Sequence, residues 1–190
     1  AVKAPRPARV SDTPGYFSRA EEPGRVVASG TQVRTVPSAT FPTIAAAVQP
    51  SGSVEQILVR ILPGVYYEQL SITEPVVLVG AGKELPTIWG GKDGVVVSGA
   101  GASACALRHL RLCAESRCHA LTVSNSSPLI EGCEIVGSCG DPARGAPAGL
   151  EVRGQSGPVI RECRIFDHAG AGIAFLQGAN GLVAACDVTR

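Results

Sequence analysis

Short segments with one repeated pattern of hydrophobic and polar positions fill the second half of the chain. Each begins with an apolar residue, has an apolar residue or cysteine three positions later, and has another apolar residue two positions after that. The segments are 107–112, 130–135, 160–165 and 183–188. Alternating apolar and polar residues within them predict β-strands with one buried face.

The spacing of these segments is typical of a solenoid. The central positions Leu110 and Cys133 are 23 residues apart, as are Cys163 and Cys186, and the step between Cys133 and Cys163 is 30. A second apolar pattern, which we call the second apolar phrase, recurs once in each repeat, at 119–123, 148–152 and 171–175. The repeat is too short for pairs of helices and lacks the spacing of leucine-rich repeats. We therefore predict an all-β, right-handed, single-stranded parallel β-helix with one repeat per coil.

Charged residues at equivalent outward positions alternate in sign from coil to coil. One column contains Arg111, Glu134, Arg164 and Asp187, and the other contains Arg108, Glu131, Arg161 and Ala184. Coils in parallel register hold equivalent residues about 4.8 Å apart, so like charges in one column would repel. We expect the columns to fix the register, with little stability from each exposed pair. Chance placement of charges is the alternative interpretation.

The central residues of the four segments are expected to point inward and to form one column of apolar side chains and thiols. Its members are Leu110, Cys133, Cys163 and Cys186. Cysteines here replace small hydrophobic residues, which favours reduced thiols. Reduced thiols favour an intracellular location, cytoplasmic with cytoskeletal or nuclear alternatives.

Composition limits the core and the partners. Hydrophobic residues make up 45% of the chain but aromatics only 4%, so the core is expected to consist of Val, Ile, Leu, Ala and Cys. A net charge of +1 gives no basic face for nucleic acid. No apolar run approaches the roughly 18 residues needed to span a bilayer, so no membrane partner is expected.

The first part of the chain differs from the repeats. Residues 1–30 are rich in Pro, Arg and Glu without a sustained period, which predicts an extended arm or linker, with a docking peptide as the functional alternative. Residues 31–190 form the predicted β-helix domain. A short helix near Ile44, with Thr43 or Ser38 as its N-cap, is expected to cap the first coil. The C-terminal end is expected to be open or truncated, and to be covered by a partner, a second copy or further sequence.

Segments between residues 41 and 88 resemble the opening of the pectin-lyase-like superfamily. They are 41–48 (FPTIAAAV), 61–68 (ILPGVYYE), 77–82 (VLVGAG) and 86–88 (PTI). Pectin methylesterases show the same order of capping helix, Pro-Gly turn with Tyr and Glu, and Gly-rich turn before Thr-Ile. The later phrases 127–135 and 157–165 more closely resemble the parallel β-helix repeats of F-box-only and SHC-binding proteins. The resemblance covers residues 33–188 and implies the fold rather than one activity.

No catalytic or cofactor arrangement is evident in the sequence. Asp167 and His168 are the one adjacent acid–base pair considered, and a solvated turn is the favoured interpretation. The cysteines offer two alternatives, a zinc site or, in an oxidising compartment, a disulfide between Cys113 and Cys118. The zinc candidates, whose spacing is not that of a standard finger, are Cys113, Cys118, His119 and Cys139. We predict no enzyme activity, no metal and no cofactor.

A non-catalytic scaffold for protein–protein interaction is therefore the expected function, within a larger intracellular assembly of adaptor or cytoskeletal type. The insertion 137–148, with Asp141 and Arg144, is a candidate contact loop. The alternative is a carbohydrate-binding or carbohydrate-modifying domain. Its candidate sugar contacts are Tyr66, Tyr67 and Trp89, although Tyr66 and Trp89 could equally be edge or core residues.

Overall fold

Short parallel strands wind around a narrow apolar interior with three flat sides. A computed structural model describes residues 30–50, 56–115, 118–137 and 146–189. The predicted arm at 1–30 lies outside these residues except for Gly30. The strands are β1 (Thr31–Val36), β2 (Gln56–Ile61), β3 (Val65–Tyr67), β4 (Leu70–Ile72), β5 (Val76–Gly80), β6 (Thr87–Trp89), β7 (Val95–Ser98), β8 (Ala106–Arg108), β9 (Arg111–Cys113), β10 (Leu121–Ser124), β11 (Leu129–Glu131), β12 (Glu134–Val136), β13 (Leu150–Arg153), β14 (Val159–Arg161), β15 (Arg164–Phe166), β16 (Ile173–Leu176), β17 (Leu182–Ala184) and β18 (Asp187–Val188).

Three parallel sheets form the sides of the solenoid. The first sheet has seven strands in the order β1-β2-β5-β8-β11-β14-β17. The second has six strands, β3-β6-β9-β12-β15-β18, and the third has five, β4-β7-β10-β13-β16. The five complete coils, from β2 to β16, each contribute one strand to each sheet in turn, whereas β1 belongs to the first sheet alone and the last described coil contributes only β17 and β18. Neighbouring coils pair in parallel. The predicted all-β parallel β-helix is confirmed.

The core is a set of inward columns that run from coil to coil. In the first sheet, Leu78, Leu107, Ile130 and Ile160 are paired from coil to coil and are fully buried. The inward columns of the other two sheets are also mainly aliphatic, with an aromatic ring only at their ends, at Tyr66 in β3 and Phe175 in β16. Because these side chains alternate with outward residues along each strand, the period-two pattern alone determines which face is buried.

A tight corner joins the first sheet to the second in every later coil. Its first residue has left-handed backbone: His109, Gly132, Glu162 and Ala185 have φ of 52°, 60°, 57° and 52°. The next residue points inward and the second sheet begins immediately after it. The short corner brings the outward ends of the two strands close together, which positions the two charge columns side by side.

The N-terminal helix α1 (Ile44–Ala47) is anchored by two acceptors. Thr43 is its N-cap, with Oγ1 accepting from Ala46 N at 3.1 Å, whereas Ser38 Oγ accepts from Phe41 N in the preceding turn. The Glu68 carboxylate, from after β3, accepts from the first backbone N–H groups of the helix at 3.0 and 2.8 Å. The helix buries Ile44 and Ala47 against the first coil.

Arg34 occupies an inward position of β1, where later coils have aliphatic residues. It pairs with Val59 in the register and is only 3% exposed. Its guanidinium donates to the carbonyls of Ala47 and Gln49, both at 2.7 Å, and to the Gln32 side chain. The guanidinium therefore provides hydrogen-bond donors for carbonyls at and just after the end of α1. These hydrogen bonds compensate for the burial of its charge at the start of the solenoid.

In the last described coil the inward positions are solvent-exposed. Val183 and Val188 are 41% and 45% exposed, although their equivalents in the preceding coil, Ile160 and Ile165, are fully buried. The difference arises because no described residue packs on their far side. What covers them stays a prediction.

Candidate functional site

The two charge columns lie on either side of the corner between the first and second sheets. In the first sheet, Glu131 pairs with Arg108 and Arg161 in the register and forms ion pairs with them at 3.1 and 2.5 Å. Ala184 continues that column without a charge. Glu131 is mostly buried between the two guanidinium groups.

The column across the corner has the same arrangement. Glu134 forms ion pairs with Arg111 at 2.6 Å and with Arg164 at 3.1 Å. Asp187 follows Arg164 in the register, but no ion pair joins it to a described residue. Each central glutamate thus lies between two arginines of the neighbouring coils.

The inward cysteines stack in equivalent positions beneath the same corner. The thiol of each cysteine lies near a backbone carbonyl of the first sheet in the preceding coil. The sulfur-to-oxygen distances are 3.5 Å from Cys133 to Leu107, 3.6 Å from Cys163 to Ile130 and 3.7 Å from Cys186 to Ile160. Leu110 occupies the first position of the column and is fully buried. The pKa of the Cys163 thiol is raised, first by its hydrogen bond with the Cys133 side chain and then by burial.

Cys105, Cys113, Cys133, Cys163 and Cys186 are free thiols, so no disulfide joins Cys113 to Cys118. Burial is the largest cause that raises the pKa of the Cys113 and Cys118 thiols. His119 is committed elsewhere, because Nδ1 donates to the Ala148 carbonyl at 3.0 Å. Among the described residues no group of three His, Cys, Asp or Glu side chains is placed to hold a metal ion. Cys139 lies outside the described residues.

The candidate aromatic contacts separate into one inward and two outward side chains. Tyr66 packs against the core, and its hydroxyl donates to the Leu62 carbonyl at 2.8 Å. Tyr67 and Trp89 are paired in neighbouring strands on the outer face of the second sheet, 78% and 39% exposed. The two exposed rings therefore stand side by side. The other contact candidates, Asp141 and Arg144, lie outside the described residues, as does most of their loop.

Asp167 and His168 do not form an acid–base pair. Asp167 is exposed, whereas His168 is buried, and no described residue forms a hydrogen bond with its Nδ1. The imidazole faces inward near Gly172 rather than toward the carboxylate. Its position is that of a packed turn residue.

A polar cluster on the third sheet was not singled out by the sequence analysis. Glu151 points outward from β13 and forms ion pairs with His119 Nε2 at 3.1 Å and with Arg153 at 3.5 Å. Both nitrogens of the His119 ring face oxygen atoms, one of the Ala148 carbonyl and one of the Glu151 carboxylate. Aligning the second apolar phrase would have placed Glu151 in one column with Thr122, because those residues are paired in the register.

An outward column of apolar residues on the first sheet was also missed. We call it the apolar stripe. Its members, one from each of the seven strands, are Val33, Leu58, Val77, Ala106, Leu129, Val159 and Leu182. Val33 and Leu182 are exposed, Ala106 is buried, and the other four are partly exposed. The signal was available in the repeats, since the residue before each inward apolar position is itself apolar.

The stripe is unusual for an outer face, because outward positions of a solvated sheet are normally polar. At the usual strand spacing of about 4.8 Å, six steps give it a length of about 29 Å. Apolar side chains that are exposed or partly exposed at six of the seven positions of such a column are typical of a surface that binds another chain.

Helices capable of crossing a membrane were not found among the described residues. Comparison with curated proteins and with solved structures produced no match. A family model described as a right handed beta helix region matches residues 87–190, which is more than half of the 190-residue chain. The match covers the coils that carry the charge columns, the thiol column and most of the third sheet. Together with the three parallel sheets, it shows that the chain belongs to the right-handed β-helix family.

Proposed function

We propose that this chain is a non-catalytic scaffold that binds a protein partner through the apolar stripe of its first sheet, within a larger intracellular assembly. The resemblance of phrases 127–135 and 157–165 to repeats of F-box-only and SHC-binding proteins supports an adaptor role. The observation that carries the proposal is the stripe itself, which runs across all seven strands of the first sheet.

The arrangement of the charged residues supports a binding role over a catalytic one. Glu131 and Glu134 each lie between two arginines, and Glu151 lies between His119 and Arg153. Each of these carboxylates is already engaged by two neighbouring side chains. The stripe, in contrast, is apolar, and covering its surface with a partner is favourable in free energy.

A quantitative pull-down with isotope-labelled extract tests the proposal. Leu129→Lys places a charge in the middle of the stripe, and Val96→Lys places the same charge on the outer face of the third sheet as a matched control. We expect protein partners captured by the unsubstituted chain and by the control to be lost with Leu129→Lys. Partners retained equally by all three chains would contradict the proposal, as would turnover of a pectin-like polymer by the purified chain.

A second candidate, carbohydrate binding, is favoured by the two outward rings on the second sheet. Tyr67 and Trp89 are paired in the register and exposed, and side-by-side rings are suited to stacking against sugar faces. Binding on a glycan array that disappears with Trp89→Ala and Tyr67→Ala, but persists with Tyr66→Phe, would favour this candidate. No glycan binding by the unsubstituted chain would exclude it.

A further inference from the structure

The two sides of the apolar stripe differ in charge. Two residues after each stripe position, the outward column is Thr35, Arg60, Val79, Arg108, Glu131, Arg161 and Ala184. Three arginines and one glutamate give this flank a net charge of +2, from +3 and −1. Two residues before each stripe position the chain has only uncharged residues: Thr31, Gln56, Pro75, Ala104, Ser127, Gly157 and Asn180.

The positive charge of the basic flank is accessible to a partner. Arg60 is exposed and has no ion pair with a described residue. The side chain of Arg161 is 46% exposed although it pairs with Glu131. Glu131 can neutralise only one of the two arginines beside it. The flank therefore retains cationic groups along the edge of the stripe.

The direction of the stripe restricts the secondary structure of its occupant. It runs across the strands, and the outer face of a sheet presents side chains rather than free backbone groups. An extended segment lying there would leave its own N–H and C=O groups unpaired, whereas an α-helix satisfies them internally. At 1.5 Å per residue, a helix of about 20 residues spans the roughly 29 Å of the stripe.

We propose that the apolar stripe binds an amphipathic α-helix of about 20 residues, with acidic residues along the edge that faces Arg60, Arg108 and Arg161. This inference rests on the proposed function and specifies the partner chemistry for the same surface. The apolar face of the helix supplies most of the affinity, and the acidic edge selects its orientation and its partners.

Selection from a displayed peptide library tests this inference on the full chain. The library holds 20-residue helices with a fixed face of Leu and Ile, and with both edges varied among Glu, Gln and Lys. We expect Glu to be enriched on one edge and not on the other. Selected peptides are then measured by fluorescence anisotropy against purified variants whose folding is verified by circular dichroism.

Matched variants separate the apolar and the charged contributions. Leu129→Lys is expected to weaken peptide binding at least about tenfold, and Val96→Lys to leave it unchanged. Arg60→Glu is expected to weaken binding of acidic-edged peptides about three- to tenfold, with recovery when the edge is changed to Lys. Lys92→Glu, between the second and third sheets, is the charge control.

The outcomes distinguish this inference from the proposed function. Peptides that depend on Leu129 but show no preference for Glu would overturn the acidic helix and leave the scaffold proposal intact. Peptides that bind Leu129→Lys as tightly as the unsubstituted chain would overturn the assignment of a helix to the stripe. The scaffold proposal itself fails if protein capture is independent of the stripe or if the purified chain turns over a pectin-like polymer.

Discussion

Buried thiols link the stability of this chain to alkaline pH. Burial raises the pKa of the Cys105 thiol from its ordinary 9.0 to about 12, with a backbone hydrogen bond near Val76 acting in the opposite direction. Cys105 directly precedes β8 and is almost fully buried. The folded chain therefore holds this thiol proton more tightly than the unfolded chain does.

Stability is expected to fall between pH 9 and about pH 12. The contribution of a group whose pKa is raised on folding is fully present below its unfolded value and is lost as pH rises to its folded value. For Cys105 the loss approaches about 1.4 kcal/mol per pH unit within that window. Urea unfolding at several pH values measures it, and Cys105→Ala should show a shallower decline. Identical pH profiles for the two chains would contradict this explanation.

The corner residue Gly132 provides a test of backbone strain. Its φ of 60° disfavours any side chain, and a Cβ added there would lie 2.7 Å from the His109 ring. We expect Gly132→Ala to reduce the free energy of unfolding by about 1–2 kcal/mol. Chemical denaturation measures the change.

The equivalent corner residue Ala185 is the matched control for Gly132. It is exposed and has the same left-handed backbone, with φ of 52°. Ala185→Gly removes a side chain that the left-handed backbone disfavours, but it also increases the conformational entropy of the unfolded chain. We therefore expect the free energy of unfolding to stay the same or to rise by up to about 1 kcal/mol. A loss of stability in Ala185→Gly as large as that in Gly132→Ala would contradict the assignment of strain to this corner.

Some residue environments followed from the sequence and others did not. The repeat indicated where Cys133 and Cys163 would lie, because inward positions recur at a fixed place in each coil. The burial of Arg34 could not be predicted from the repeat. A single charged residue in a short strand is normally outward, and its burial depends on carbonyls of α1 that approach it only in the folded chain.

Among the elements, the corner between the first and second sheets concentrates the ion pairs. Glu134 accepts from arginines of the coils on both sides and has a side chain only 14% exposed. Both of its neighbours depend on one carboxylate for neutralisation. Removing that carboxylate leaves the two arginines, on either side of position 134, without their shared partner.

Glu134→Gln is expected to lower the free energy of unfolding by about 1–2 kcal/mol, because the two guanidinium groups lose their shared partner. Asp187→Asn, in the same column but exposed and without an ion pair to a described residue, is expected to change it by less than about 0.5 kcal/mol. Thermal and urea unfolding provide the measurement. Equal effects of the two substitutions would show that the position within the column does not matter.

Strands were more predictable than the surfaces they form. The period of two identified the inward face of each strand, and the recurrence of the repeated segments, at steps of 23 and 30 residues, identified the pairing. The apolar stripe and the cluster around Glu151 depend on which outward residues become neighbours across coils. That information was present in the register, but it emerges only when every coil is aligned, including β1, β2 and β5, whose spacing differs from the later repeats.

At the scale of the whole molecule, the outer faces differ in chemical character. The first sheet carries the apolar stripe, the adjoining corner carries paired charges, and the second sheet carries Tyr67 and Trp89. The third sheet carries the cluster of His119, Glu151 and Arg153. A solenoid with a uniform core can thus present separate surfaces, and the proposed partner should contact only one of them.

Site-specific photo-crosslinking tests this claim most directly. A photoreactive amino acid replaces Val77 on the first sheet or, as the control, Val96 on the third sheet, both outward and partly exposed. After irradiation in native extract, crosslinked proteins are identified by mass spectrometry. We predict that one or a few proteins crosslink reproducibly from position 77, that none of them crosslinks from position 96, and that Leu129→Lys removes them. The same crosslinked proteins from both positions, or none from position 77, would contradict the account.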